Sequence, residues 1–166
     1  TGSVMVGDDA TGTLSSADNN TGLGVDVFAA LTEGDNNVAV GKSALGAITT
    51  GTRNIAIGAS AGDAITTSTK NVAVGTASLT TNSTGDNNVA IGDQALSDNS
   101  TASNNTAVGT SALGVNTTGD TNVAVGYQSL DANTTGTNNV GVGDNTLGAN
   151  TTAANNTAVG SQALLS

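Results

Sequence analysis

The sequence contains no cysteine, histidine, proline or tryptophan, and only one tyrosine and one phenylalanine in 166 residues. Lacking Cys and His, it has no zinc, haem or iron–sulfur site of the ordinary kinds, no disulfide, no thiol nucleophile and no imidazole base. A metal would have to be held by carboxylates and backbone oxygens, and no cofactor is expected. Positive charge is nearly as scarce. Lys42, Arg53 and Lys70 stand against 13 acids, a net charge of −10, which is the wrong sign for binding nucleic acid or an anionic membrane surface. No apolar run is long enough to span a bilayer, so membrane insertion is not expected. The chain opens on Thr1 without a basic, apolar leader, as a mature fragment would. Large apolar residues are few as well: Val, Ile, Leu and Phe number 33 of 166. With this charge, that proportion is typical of disordered chains.

What the chain has instead is a repeat. The glycine closing each "VAVG" or its variant falls at Gly7, Gly24, Gly41, Gly58, Gly75, Gly92, Gly109, Gly126, Gly143 and Gly160, always 17 residues apart. Ten units follow one another without insertion or deletion, which marks a repeat architecture. Numbering the unit 1 to 17 with this glycine at column 6, column 2 is Asn in nine units, from Asn20 to Asn156. Columns 3 and 5 are mostly Val or Ile, and column 10 is Leu in seven units and Phe28 in another. Column 4 is Ala or Gly in nine units, with Met5 the exception.

The large-small-large alternation at columns 3 to 5 has the period of a β-strand. No stretch has helical period, and the recurring Gly and Asn-Thr-Thr-Gly runs oppose a helix. A unit of two short strands and two turns cannot bury its own apolar face, whereas stacked units can. The fold class expected is therefore all-β, a β-solenoid or parallel β-roll with one coil per 17-residue repeat and about ten coils. Column-mates would stack about 4.8 Å apart in a rod roughly 45 Å long. Column 2 would then form an Asn ladder, and the column 6 Gly a corner that side chains resist. Columns 3, 5 and 10 hold 25 of the 33 large apolar residues, so the expected core is a seam of those columns, with column 4 on the opposite face. Small residues there would let another backbone approach, which makes Ala39, Ala56, Ala73, Ala90, Ala107, Ala124, Gly141 and Ala158 the candidate subunit interface.

The units "NNVAVG" (36–41), "NNVAIG" (87–92) and "TNVAVG" (121–126) resemble the head repeats of trimeric autotransporter adhesins, the YadA-like family, and the resemblance runs through essentially all ten units. It implies a left-handed roll, a homotrimer about a threefold axis, and an extracellular location on a cell surface, binding host cells or matrix. This repeat is longer than many head repeats, and the sequence shows no coiled-coil stalk, neck or membrane anchor. Similar long repeats also look like parts of phage tail fibres, so a virion fibre is the alternative placement.

The carboxylates offer a candidate cation site at Asp8, Asp9 and Asp26, where column 8 acids of the first two coils stack. Asp18 and Asp35 stack in column 17. Arg53 and Lys70 stack in column 1, with Lys42 nearby in sequence, as a small candidate receptor patch. Columns 14 and 15 are Ser or Thr from Ser15 to Thr152 apart from Glu33, so ice binding is a second alternative. Glycosylation sequons at Asn82, Asn116, Asn133 and Asn150 follow from the repeat. No base or oriented third group accompanies the many Asp and Ser residues, so no catalytic residue is singled out and an enzyme is not expected.

The chain forms one repeat domain over 1–166 with two zones. Residues 1–69 are more apolar and less regular, with column 13 Leu14, Leu31, Ile48 and Ile65. Residues 70–166 are regular and Asn-rich, with column 13 Asn82, Asn99, Asn116, Asn133 and Asn150. The apolar part of column 13 is expected to form an outer stripe covered by a cap or adjoining element.

Overall fold

The computed structural model describes residues 2–7 and 16–165. Each unit contributes one three-residue strand at columns 3 to 5: β1 (Val4–Val6), β2 (Thr21–Leu23), β3 (Val38–Val40), β4 (Ile55–Ile57), β5 (Val72–Val74), β6 (Val89–Ile91), β7 (Thr106–Val108), β8 (Val123–Val125), β9 (Val140–Val142) and β10 (Thr157–Val159). The strands pair in chain order in a single parallel sheet, every residue opposite its mate 17 positions on, as Val38 opposite Ile55. The result is a β-solenoid, with no helix among the described residues.

The second strand expected in each unit is absent among the described residues. Columns 8 and 10 have left-handed backbones there, as at Ser43 (φ 57) and Leu45 (φ 49), so the chain turns instead of extending. Column 1 is a third left-handed corner, and Asn fills it in six of nine coils from Asn19 to Asn155, the residue type that tolerates this conformation best after glycine. Stacking continues through the turns: the Leu45 N–H donates to the Ala61 carbonyl at 3.1 Å and the Thr49 N–H to the Thr66 carbonyl at 2.9 Å. The column 6 corner does require glycine. At Gly58 (φ +138) a Cβ would lie 2.5 Å from the carbonyl oxygen of Gly75 in the next coil.

The interior corrects the expected face. The column 4 alanines Ala39, Ala56, Ala73, Ala90, Ala107 and Ala124 have no exposed surface, and Ala158 and Gly141 are also buried. They meet the column 10 Leu side chains, which cross the coil from the opposite wall and are buried from Leu45 to Leu147. Column 4 is small because this space is already filled. Where Phe28 replaces Leu, column 4 shrinks to Gly22, whose Cβ would sit 3.0 Å from the Phe28 ring. Columns 3 and 5 face outward.

Column 13 is interior too. Leu31, Ile48 and Ile65 are buried within their own coils, so the stripe expected to await a cap is already covered. In coil 4, where Gly62 stands in the Leu column, the side chains of Ile65 and Leu45 reach within 3.0 and 3.1 Å of the missing Cβ and fill the gap.

The amide ladder is present as expected. Asn37 donates its backbone N–H to Asn20 Oδ1 at 2.9 Å and its Nδ2 to the Gly51 carbonyl at 2.9 Å. The same pattern repeats along column 2, and these Asn side chains are buried from Asn20 to Asn139. Buried amides are stable here because their polar atoms find partners.

Candidate interaction face

The outer face of the sheet is the feature most unlike an ordinary protein surface. Parallel sheets usually have both faces covered, because their strands are apolar on both sides. Here the inner face packs on the Leu column and the outer face is bare within one chain. Ile55 is 39% exposed and Ile57 42%, and at the last strand Val159 is 71% exposed. The intervening Val side chains, Val72 and Val74 among them, are half-buried by their stacked neighbours. Two aliphatic rails thus run the length of the rod, interrupted in column 3 only by Thr21, Thr106 and Thr157. At about 4.8 Å per strand the stripe is roughly 45 Å long and covers on the order of 500 Å², the upper range for apolar patches on monomers. Column 1 borders it on one margin and column 7 on the other, where Val25 and Tyr127 are exposed as well.

The alanines expected at a subunit interface lie on the far side of this sheet, buried in their own chain, and have no surface to offer a partner. Burial pattern along a strand cannot be read from alternation alone, but one signal was available: the matched pair Gly22 and Phe28, large against small in a single unit, places columns 4 and 10 in contact.

The other candidates have mostly structural roles. Asp8 and Asp9 lie outside the described residues. Asp26 occupies a left-handed corner (φ 57) beside a shallow groove shared with Ser43, Gly46 and Asp63, and no group of three or more metal-ligating side chains occurs among the described residues. Column 17 acids bind backbone: Asp35 Oδ1 accepts the Asp18 N–H at 2.8 Å, and Asp86 and Asp120 accept the N–H groups of Thr69 and Ser103 at 2.6 Å. Column 14 hydroxyls donate to the next coil, Thr49 Oγ1 to the Thr66 carbonyl at 3.1 Å, while the column 15 threonines from Thr50 to Thr152 are exposed.

The sequon residues Asn82, Asn116 and Asn133 are buried in a second amide ladder in column 13, with Nδ2 of Asn99 on Asn82 Oδ1 at 2.9 Å and of Asn133 on Asn116 Oδ1 at 2.9 Å. Asn150 joins the ladder through Asn133 Oδ1 at 3.0 Å. Among the described residues no helix is long and apolar enough to cross a membrane. No protein-family model, curated protein or solved structure matches the chain.

Proposed function

We propose that the chain is a structural and adhesive segment of an extracellular fibre, a rod whose copies associate side by side through columns 3 and 5. The observation that carries this reading is the bare, mostly aliphatic face of a parallel sheet, whose column 5 rail is unbroken from β1 to β10. Water contact along such a face is costly at about 25 cal/mol per Å². A closed ring of identical rods about an axis parallel to their length covers every stripe with the same geometry. Three is the number the V-A-[VI]-G resemblance implies. The stripe with both margins, at most about 45 Å by 20 Å, gives each chain roughly 900 Å² to share between its two neighbours in the ring, a standard interface area per chain rather than per contact.

In this role the chain performs no catalysis. The backbone ladders and the two amide columns hold a stiff spacer, and the polar outer turns present ligands to a host-cell or matrix surface. The same rod in a phage tail fibre would serve as a shaft or receptor-binding segment and would use the same face. The exposed Thr column 15 favours a second reading, an ice-binding solenoid, which a thermal-hysteresis measurement detects directly. Sedimentation equilibrium tests the main reading: a mass of three chains at micromolar concentration is the expected result, and a monomer overturns it.

A further inference from the structure

All three cations of the chain, Lys42, Arg53 and Lys70, fall in coils 3 to 5, and all three are exposed. None forms an ion pair or side-chain hydrogen bond among the described residues, although acids outnumber them 13 to 3. Their placement has a cost. Arg53 and Lys70 take the left-handed column 1 corner (φ 60 in both) where Asn is the common choice, and they stack one coil apart, about 4.8 Å, with like charge. Column 17, which precedes them, is Asp35 below and Asp86 above but Thr52 and Thr69 beside them. Column 7 is likewise free of acid from Lys42 through Thr76, and column 8 from Ser43 through Ala77. Between Asp35 and Asp86 the sequence thus places no acid in columns 1, 7, 8 or 17, although the Asp86 carboxylate reaches back to the Thr69 N–H and Asp63 lies farther round the coil, in the groove beside Ser43.

Within one chain Lys42 stands on the opposite margin of the sheet face from the other two, with the three-residue strand between them. In a ring of rods with their sheet faces turned inward, the column 1 margin of one copy lies against the column 7 margin of the next. Lys42 then enters the same groove as Arg53 and Lys70 of the neighbouring copy. Their heights along the rod, at 4.8 Å per 17 residues, span only about 8 Å. We propose that this intermolecular groove at coils 3 to 5 binds an anionic polysaccharide, a linear glycan bearing sulfate or carboxylate groups. The inference rests on the side-by-side association proposed above, because the site is incomplete in a single copy.

The charge pattern selects the ligand class. A nucleic acid or a flat anionic membrane would also meet the acids that flank the window and be repelled. A thin strand with spaced anionic groups fits a window of about three coils, roughly 15 Å.

The test uses the full chain on a dextran sulfate resin, with unsulfated dextran as control and duplex DNA as competitor. Arg53→Asn and Lys70→Asn restore the common residue of column 1 and therefore keep the coil. The wild type is expected to be retained at low ionic strength and released on the order of 0.3 M salt, where screening shortens to a few ångströms. The double variant should bind about tenfold more weakly, in line with the lost cation contacts, with its native mass unchanged. An oligomer that is not retained, or a double variant retained as well as wild type, overturns the groove and leaves the fibre reading intact. DNA competing as strongly as free dextran sulfate also overturns the polysaccharide assignment. A monomeric wild type overturns both proposals.

Discussion

The coils around Leu31, Ile48 and Ile65 and those from Asn82 to Asn150 share one backbone, one register and one set of left-handed corners, yet fill the same interior column with opposite chemistry. In the first region column 13 is hydrocarbon, and the column 16 carbonyl accepts from column 2 alone, as Gly51 does from Asn37 at 2.9 Å. In the second region that carbonyl accepts twice in every coil but that of Gly119: Gly85 takes Nδ2 of both Asn71 and Asn82 at 2.9 Å, and Gly136 takes Asn122 at 2.8 Å and Asn133 at 3.0 Å. This position therefore demands a filled volume with satisfied atoms and is indifferent to polarity. A ladder rung is stable only beside other rungs.

The junction shows how the two solutions meet. Asn82 has Ile65 rather than Asn behind it, so its Nδ2 lacks the Oδ1 that later rungs receive. Ser68, the one serine in column 16, supplies its Oγ instead, at 3.3 Å from the Nδ2 of both Asn82 and Asn71.

Breaking the ladder in its middle should have the largest effect. Asn116→Leu removes the partners of Asn99 Oδ1 and of one Asn133 N–H. A loss of about 2–5 kcal/mol is expected from buried groups at 1–3 kcal/mol each, visible as hydrogen-exchange loss centred on coils 6 to 8. The reciprocal change in the apolar region comes next. Ile48→Asn places an amide between Leu31 and Ile65 and is expected to cost about 2–4 kcal/mol in denaturant unfolding. Ile65→Asn should cost less than Ile48→Asn, because its Oδ1 falls where Asn82 can use it. Equal costs at 48 and 65 would contradict the rung-beside-rung account.

A smaller effect sharpens the junction. Ser68→Ala is expected to cost about 1 kcal/mol alone, and less in the Ile65→Asn background, where the new Oδ1 replaces the lost hydroxyl. A double-mutant cycle measures that coupling, and additivity would contradict it. The smallest effect is a pH dependence confined to the Asn-rich region. Burial pushes the Asp131 carboxyl above its ordinary value of 3.8, more than its backbone hydrogen bonds lower it. The native state then holds the proton more tightly than the unfolded state, so stability falls as pH rises from 3.8 through the raised value. Asp131→Asn should flatten that slope in acid titrations of stability.

Much of this was legible in the 17-residue register. The ten strands lie at columns 3 to 5, the column 2 Asn residues form a ladder and the column 6 Gly sits at a corner where a Cβ would collide with the next coil. Side of burial was not legible. Period two groups Val38 with Val40 against Ala39 without saying which group is inside, and the usual preference for large residues inside fails because Leu45 and its mates already occupy that space. The left-handed turns at columns 8 and 10 leave no residue signature, since Ser, Gln and Leu fill them. The switch at column 13 was visible in sequence, but only the burial of Ile48 and Asn116 together identifies it as an exchange of cores.

Association of copies at the outward Val and Ile rails is decided by native mass spectrometry of the wild type beside a Val72→Thr, Val89→Thr, Val123→Thr, Val140→Thr variant. Threonine already occupies column 3 at Thr21, Thr106 and Thr157 and has nearly the shape of valine, so the coil is retained while the face becomes polar. The wild type is expected to be a trimer and the variant to dissociate toward monomer at the same concentration, with unchanged far-ultraviolet circular dichroism. A wild-type monomer, or a variant that remains as fully assembled as the wild type, would contradict it.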